Sequence, residues 1–181
     1  MRQTNVGDSP RAQLICSTEN LEVIKWSEPT VEMNLAVDEE LAQCATSTGR
    51  RILRLWWGGN ATAVLGCGDN PEKFLDLDGC KRRGVGWVKR ITGGGTVIQT
   101  PGVFNYSYTA PDNGCWDMSK MFWSGAKLVT KTLAQFGVSA QQRGISNVAI
   151  DDLKISGNAQ ARKRQLTYLD IHKRSNAKWL I

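Results

Sequence analysis

Gly86-Trp-Val-Lys-Arg-Ile-Thr-Gly-Gly-Gly-Thr-Val-Ile-Gln99 is the stretch on which the fold turns. A short β-type run enters three consecutive glycines, and Thr96-Val-Ile-Gln99 resumes a strand beyond them. Thr100-Pro-Gly102 then marks a turn, and Val103-Phe-Asn-Tyr-Ser-Tyr108 a third strand. A dinucleotide fingerprint would open a helix after its glycines, and a P-loop would end in Gly-Lys-Ser/Thr; this triple glycine runs into a strand, so neither motif is present. Strand, glycine loop, strand, turn, strand predicts an α+β domain with a mixed, mainly antiparallel sheet flanked by helices, not a doubly wound one.

The flanking sequence extends that pattern. Over residues 30–45, Met33, Val37 and Leu41 recur every four residues and predict an amphipathic helix with that stripe inward. Arg51-Ile-Leu-Arg-Leu-Trp-Trp57 and Ala61-Thr-Ala-Val-Leu65, separated by Gly58-Gly-Asn60, predict a hairpin. Asp117 is a good N-cap for a helix whose face is Met118, Phe122, Gly125, Val129, Leu133 and Phe136, with Gly137 ending it. Asn147-Val-Ala-Ile150 and Leu153-Lys-Ile-Ser156 flank Asp151-Asp152 as a two-residue hairpin turn.

The 181 residues, 41% hydrophobic and 22% charged, predict one folded domain over 1–181. No apolar run approaches the roughly 18 residues of a membrane span, and the N-terminus lacks a secretory or transit pattern, so a cytoplasmic protein with no membrane role is expected. The net charge of +6 suggests nucleic acid until it is divided along the chain. Residues 161–181 carry six Lys/Arg against Asp170 alone, while residues 1–160 are nearly neutral, so a basic tail is expected and a nucleic-acid partner is not. Five cysteines form an odd set without a CxxC pair, which predicts reduced thiols and argues against zinc. Cys67, Cys80 and Cys115 are expected to be packing residues. The single histidine, His172, falls in the basic tail, which removes most Ser-His-Asp and Cys-His mechanisms. Trp56, Trp57, Trp87, Trp116 and Trp123 are expected in the core or at packed edges, with Trp87 beside the glycine loop able to line an acyl tunnel.

Two segments carry chemistry. A triple glycine lets backbone N–H groups approach a ligand closely, which suits a phosphate or adenylate, and Arg90 can supply a guanidinium fork for phosphoryl oxygens. The alternative is a wide bulge beside a surface arginine. Lys154 lies in Asp152-Leu-Lys-Ile-Ser-Gly-Asn-Ala-Gln160, where strand alternation places it on one face with Asp152 and Ser156. There it is either a solvated lysine or a cation reaching into a polar cleft, able to neutralise a carboxylate attacking phosphorus and then to polarise the carbonyl of the mixed anhydride.

Together, Lys89-Arg-Ile-Thr-Gly-Gly-Gly-Thr-Val97 and Leu153-Lys-Ile-Ser-Gly-Asn-Ala159 resemble the lipoate-protein ligase family over about residues 30–160. The resemblance includes an acidic helix before the first predicted hairpin and an Asn-x-Ser/Thr strand at Asn105-Tyr-Ser107. It implies an α+β domain, like that of the biotin/lipoate ligases, that activates lipoate or octanoate with Mg2+-ATP. The acyl group would pass to a lysine on a lipoyl domain of 2-oxoacid dehydrogenases or on the glycine cleavage H protein. Position by position, it makes Arg90, Thr92, Gly93, Gly94, Gly95, Thr96, Val97 and Ile98 the adenylate and lipoyl contacts. It makes Lys154 the catalytic cation, with Ser156, Gly157, Asn158 and Ala159 closing the wall. Asn147 stands where many members carry an Asp that can contact adenylate or magnesium; no resident metal site is expected.

The chain departs from the family pattern in two places. Gln99-Thr100 replaces a His-Asp pair, and Arg162-Lys-Arg-Gln-Leu-Thr-Tyr-Leu169 stands where a His-Gly-Thr-Leu-Leu strand is usual. Octanoyl transferases of the superfamily carry a catalytic cysteine just before or just after the lysine motif, and residues 147–152 and 157–165 contain none. An ATP-dependent ligase is therefore favoured over an ATP-independent thioester transferase, while Gln99-Thr100 keeps open a non-catalytic binder of lipoyl-adenylate or lipoyl domains. The bare glycines argue against a biotin ligase, whose loop carries arginines among them.

Overall fold

The computed structural model describes residues 13–18, 21–111, 117–163 and 166–173. Its larger sheet is built from β1 (Gln13–Thr18), β2 (Leu21–Lys25), β3 (Ile52–Trp57), β7 (Phe104–Pro111), β8 (Gln141–Arg143), β9 (Asn147–Ile150), β10 (Leu153–Lys163) and β11 (Leu166–Lys173). Their order is β1-β2-β3-β7-β11-β10-β9-β8, with β2 and β3 parallel and every other pair antiparallel. A smaller sheet sets β4 (Thr62–Leu65) between β5 (Gly86–Lys89), parallel, and β6 (Val97–Gln99), antiparallel. Helices α1 (Val31–Thr48) and α4 (Met118–Ala134) cover opposite faces of the larger sheet, and the short α2 (Pro71–Phe74) and α3 (Leu77–Arg82) lie between β4 and β5. This is the mixed, mainly antiparallel α+β architecture expected. No helix of the described residues is long and apolar enough to cross a membrane.

Helix α1 forms as expected but buries a different stripe. Thr30 caps it through its hydroxyl, which accepts from the Met33 N–H, and left-handed Gly49 ends it. The buried positions are Val31, Asn34, Leu35, Asp38, Ala42 and Ala45, whereas Met33 is 47% exposed. Polarity hid this face. Asn34 and Asp38 go inward because Arg54, the one charged residue in the otherwise apolar β3, is fully buried opposite them. Arg54 donates to the Asp38 carboxylate at 2.8 Å, to the Asn34 side chain and backbone carbonyl at 2.6 and 2.8 Å, and to the Trp26 carbonyl at 2.8 Å. Asp38 also accepts from Trp56 Nε1 at 3.0 Å and from the Ser107 hydroxyl. One carboxylate thus ties α1 to β3 and β7, and each charge has close partners, which offsets the cost of its burial. Beside it, Val31, Leu35, Trp56 and Val64 pack with Val88 and Val97, joining α1 to both sheets.

The structure differs from the sequence reading in three further places. β3 and β4 are not a hairpin: β3 pairs with β2 and β7, β4 with β5 and β6, and Gly58-Gly-Asn60 carries the chain from one sheet to the other. The Gly58 N–H donates to the Val103 carbonyl, so this turn is fastened to the β6–β7 connection instead of closing a β3–β4 ladder. Much of the segment expected to be a basic tail is sheet: β11 pairs with β10 and β7, and His172 takes a backbone register position in it. The alternation in Leu-Thr-Tyr-Leu-Asp-Ile, residues 166–171, is the strand signal that the surrounding charge concealed. The place of the missing His-Gly-Thr-Leu-Leu motif is therefore a strand of different sequence. Third, β1, β2 and β8 lie in segments that carried no strand expectation.

Helix α4 follows its sequence signals closely. The Asp117 carboxylate caps Ser119, and left-handed Gly137 closes the helix end through bonds from the Gly137 and Val138 N–H groups to the Ala134 and Leu133 carbonyls. Met121, Gly125 and Ala126 are buried, while Met118 and Phe136, expected on the packed face, are 51% and 79% exposed. The C-terminal half of α4 stands over a cavity of about 650 Å³ walled by Leu53, Leu55, Tyr106, Val129 and Ile155. Tyr108 packs on this face with Tyr106 and Phe122; burial pushes its phenol above the usual tyrosine range, and Arg51 pulls it partly back.

Candidate active site

The glycine loop is organised from beneath by Arg90. Its guanidinium, 3% exposed, donates to the Thr92 hydroxyl at 2.7 Å, the Val64 carbonyl at 3.1 Å, and the Gly93 and Gly95 carbonyls at 2.8 and 3.0 Å. The sequence suggested an outward fork for phosphate; the buried guanidinium instead gathers the loop's carbonyls. Thr92 is fully buried, and its carbonyl accepts from the Cys67 N–H. On the other flank the Asp69 carboxylate accepts from the Gly66 N–H and the Thr96 hydroxyl, both at 3.2 Å. Asp69 carried no expectation, and its only sequence signal is its place in the Gly-Asp-Asn-Pro turn.

Gly94 needs its glycine, with φ at +92°, and Gly66 sits so close that a Cβ there would collide with the Gly94 carbonyl oxygen. Gly66→Ala is therefore expected to push the loop outward and cost about 1 to 3 kcal/mol. Thermal unfolding measures the loss, and faster hydrogen exchange at residues 93–97 locates it.

The lysine motif departs from simple alternation. Pairing with β9 runs Lys154↔Ala149 and then Ser156↔Val148, so Ile155 is a bulge residue. The bulge reverses the face of everything after it. Lys154 no longer shares a face with Ser156, as regular alternation predicted; it shares one with Gly157, and its Nζ lies 3.0 Å from where a Gly157 Cβ would be. Asn147 Oδ1 lies 3.7 Å from the same point. Ser156 turns to the α4 side, where it lines the cavity, and Asn158 is held there by its Nδ2, which donates to the Ser146 carbonyl at 2.6 Å. Ala159 is 7% exposed.

Register joins the two halves. Residues directly opposed in antiparallel strands share a face. Trp56, Asn105, His172, Gly157 and Asn147 occupy one row across β3, β7, β11, β10 and β9. Trp56 fixes that row as the α1 side, since its indole bonds Asp38. Asn105, two strands from Gly157 and so about 10 Å away, exchanges amide hydrogen bonds with Gln99 at the end of β6. β6 is the strand that leaves the glycine loop; Val97 packs in the core beneath it, and Ile98 pairs with Ala63. The structure thus brings Arg90, Thr92, Gly93, Gly94, Gly95 and Thr96 into one loop, and Lys154, Gly157 and Asn147 onto the sheet face bonded to the loop's own strand. It leaves Ser156 and Asn158 on the opposite face.

Cysteine and tryptophan placements are mixed. Cys67, expected to pack, is exposed beside the loop, Cys80 is half-buried, and Cys115 lies outside the described residues. Trp56 is fully buried, whereas Trp57, Trp87 and Trp123 are exposed by 40, 45 and 54%; Trp116 lies outside the described residues.

The chain is 28% identical over 128 residues to lipoate-protein ligase LplJ of Bacillus subtilis, covering 71% of this chain and 38% of that protein. It is 28% identical over 118 residues to lipoate-protein ligase A subunit 1 of Thermoplasma acidophilum, covering 65% of this chain and 44% of that one. The chain therefore spans less than half the length of either relative. Among solved structures it is similar to a bi-partite lipoate protein ligase of Thermoplasma acidophilum studied with its E2 lipoyl domain, with TM-score 0.79, 25% identity, and coverage of 88% of this chain and 62% of that one. Residues 30–172 match the model of the lipoyl protein ligase A/B catalytic domain, and with that span of sequence, its two sheets and its glycine loop, the chain belongs to this family.

Proposed function

We propose that the protein activates lipoate or octanoate with ATP and transfers the acyl group to a lysine of a lipoyl domain, on 2-oxoacid dehydrogenases or the glycine cleavage H protein. The observation that carries this reading is the Lys154 amine folded over Gly157 on the sheet face bonded, through Asn105 and Gln99, to the strand leaving the glycine loop. With the Gly93 and Gly95 carbonyls drawn onto Arg90, the loop is set to present N–H groups to phosphate oxygens. The substrate carboxylate attacks the α-phosphorus, the bond to the bridging oxygen breaks, and pyrophosphate leaves. Lys154 offsets the negative charge gathered there, with Asn147 beside it. The acceptor lysine amine then attacks the acyl carbonyl, the C–O bond to AMP breaks, AMP carries off the electron pair, and the amine gives up its proton. Mg2+ enters with ATP as substrate complex, its ligands chiefly phosphate and water oxygens. Among the described residues no group of three or more His, Cys, Asp or Glu is placed to hold a metal.

The absence of cysteine from residues 147–152 and 157–165 favours this ligase over a thioester transferase. Lipoate-dependent exchange of labelled pyrophosphate into ATP tests the first half-reaction. Exchange that needs lipoate supports the reading. Acyl transfer from a carrier without ATP, or tight adenylate binding without exchange, overturns it in favour of a transferase or a binding protein.

A further inference from the structure

Resting on the ligase reading, we infer that Gln99 and Asn105 are a positioning pair that sets the glycine loop against Lys154. Both side chains are fully buried, one in each sheet. Gln99 Nε2 donates to Asn105 Oδ1 at 2.8 Å, and Asn105 Nδ2 donates back to Gln99 Oε1 at 3.3 Å. Asn105 Nδ2 also reaches the Val103 carbonyl at 3.5 Å. Gly58 makes room for this pair: a Cβ there would stand 3.2 Å from Gln99 Oε1 and 2.7 Å from the Thr100 carbonyl oxygen.

The placement of the pair is what gives it a role beyond packing. Gln99 ends the strand that begins at the loop, two residues after Val97. Asn105 sits in the backbone row that contains Gly157, over which Lys154 lies. The reciprocal amides therefore fasten the nucleotide end of the proposed site to the strand row that carries its cation, two strands from Gly157. Reactivity falls steeply when groups that must meet one substrate are misplaced by about 1 Å. A primary amide facing a primary amide gives a link of defined length that holds no ionisable group. Gln99 thereby acquires a function at a position where the family pattern has histidine: it trades a titratable ring for a fixed spacer.

Length-conserving exchange tests this. Gln99→Asn and Asn105→Gln each keep the amide but change the reach by one methylene, and the double exchange restores the total. Each single variant is expected to lower kcat of lipoate-dependent adenylate formation about 10- to 100-fold with KM for ATP within about threefold. The double variant is expected to regain most of that kcat. Hydrogen exchange at residues 93–98 follows the loop without relying on turnover, and should quicken in the singles and recover in the double. Melting temperatures falling while kcat per folded molecule stays unchanged would overturn the inference, as would a double variant that recovers stability but not kcat. A wild-type protein inert in adenylate formation, with loop exchange still responding to the swap, would sink the ligase reading and leave the link intact; loop exchange indifferent to the swap sinks the link itself.

Discussion

Asp38→Ala is expected to cost about 3 to 5 kcal/mol, because it leaves the Arg54 guanidinium buried without its carboxylate and takes the acceptor from Trp56 and Ser107 at once. The ion pair has side-chain exposures of 0 and 1%, so solvent offers neither screening nor rescue. Against the 5 to 15 kcal/mol that stabilises an ordinary domain, this is a large fraction of the whole. In a protein of this size it corresponds to a fall in melting temperature of roughly 6 to 20 °C. The contrast is the salt bridge between Arg50 and Glu22, with side-chain exposures of 60 and 25%, where Glu22→Ala is expected to change stability by less than about 1 kcal/mol. Removing both buried charges together, as Asp38→Leu with Arg54→Met, is expected to cost clearly less than the sum of the single changes, since no unpaired ion remains. Thermal and denaturant unfolding of the four proteins check this; additive losses in the pair would show that the two charges do not act as a unit.

Lys154→Ala is expected to lower acyl transfer to a lipoyl domain by a factor of about 100 to 1,000. Its melting temperature should stay near that of the unaltered protein, because the side chain is exposed and lies on the surface of β10. The division between activity and stability is the informative part. Asp38 removes stability first and activity through it, while Lys154 removes chemistry from an intact fold. Steady-state transfer rates beside unfolding curves for both variants separate the two. Equal losses of activity per folded molecule in both would contradict the assignment.

The fold class was legible where one segment carried its own instructions. The triple glycine between strand-like runs, the Asp117 cap with the Gly137 stop, and the Asp151-Asp152 turn each specify local backbone that tertiary packing left unchanged. Sequence reasoning failed where partners distant in the chain decide. Nothing local says that Asp38 and Asn34 are buried and Met33 exposed; that follows from Arg54, sixteen residues beyond Asp38. Arg54 is itself the signal, a charge inside an otherwise apolar strand, and pairing it with acids one helical face away would have found the correct stripe. Gly58-Gly-Asn60 has the composition of a hairpin turn, yet the strands it joins find their partners in different sheets.

The candidate site divides in the same way. Arg90, the glycines and Lys154 were identifiable from two motifs, but what Arg90 does was not, because its guanidinium is directed at carbonyls that only the folded loop brings to it. The face assignments around Lys154 depended on a bulge at Ile155 that strict alternation excludes, and one inserted residue moved Ser156 to the far side of the sheet. Gln99 was visible only as a departure, and its bond to Asn105 explains how a polar residue occupies that buried place.

The most direct test of the central claim is the intact mass of an unmodified lipoyl domain after incubation with the protein, lipoate and Mg2+-ATP, beside reactions lacking ATP and reactions with Lys154→Ala. The account predicts one lipoyl addition per acceptor lysine, dependent on ATP and nearly absent in the variant. An addition that proceeds equally without ATP, or undiminished without Lys154, would contradict it.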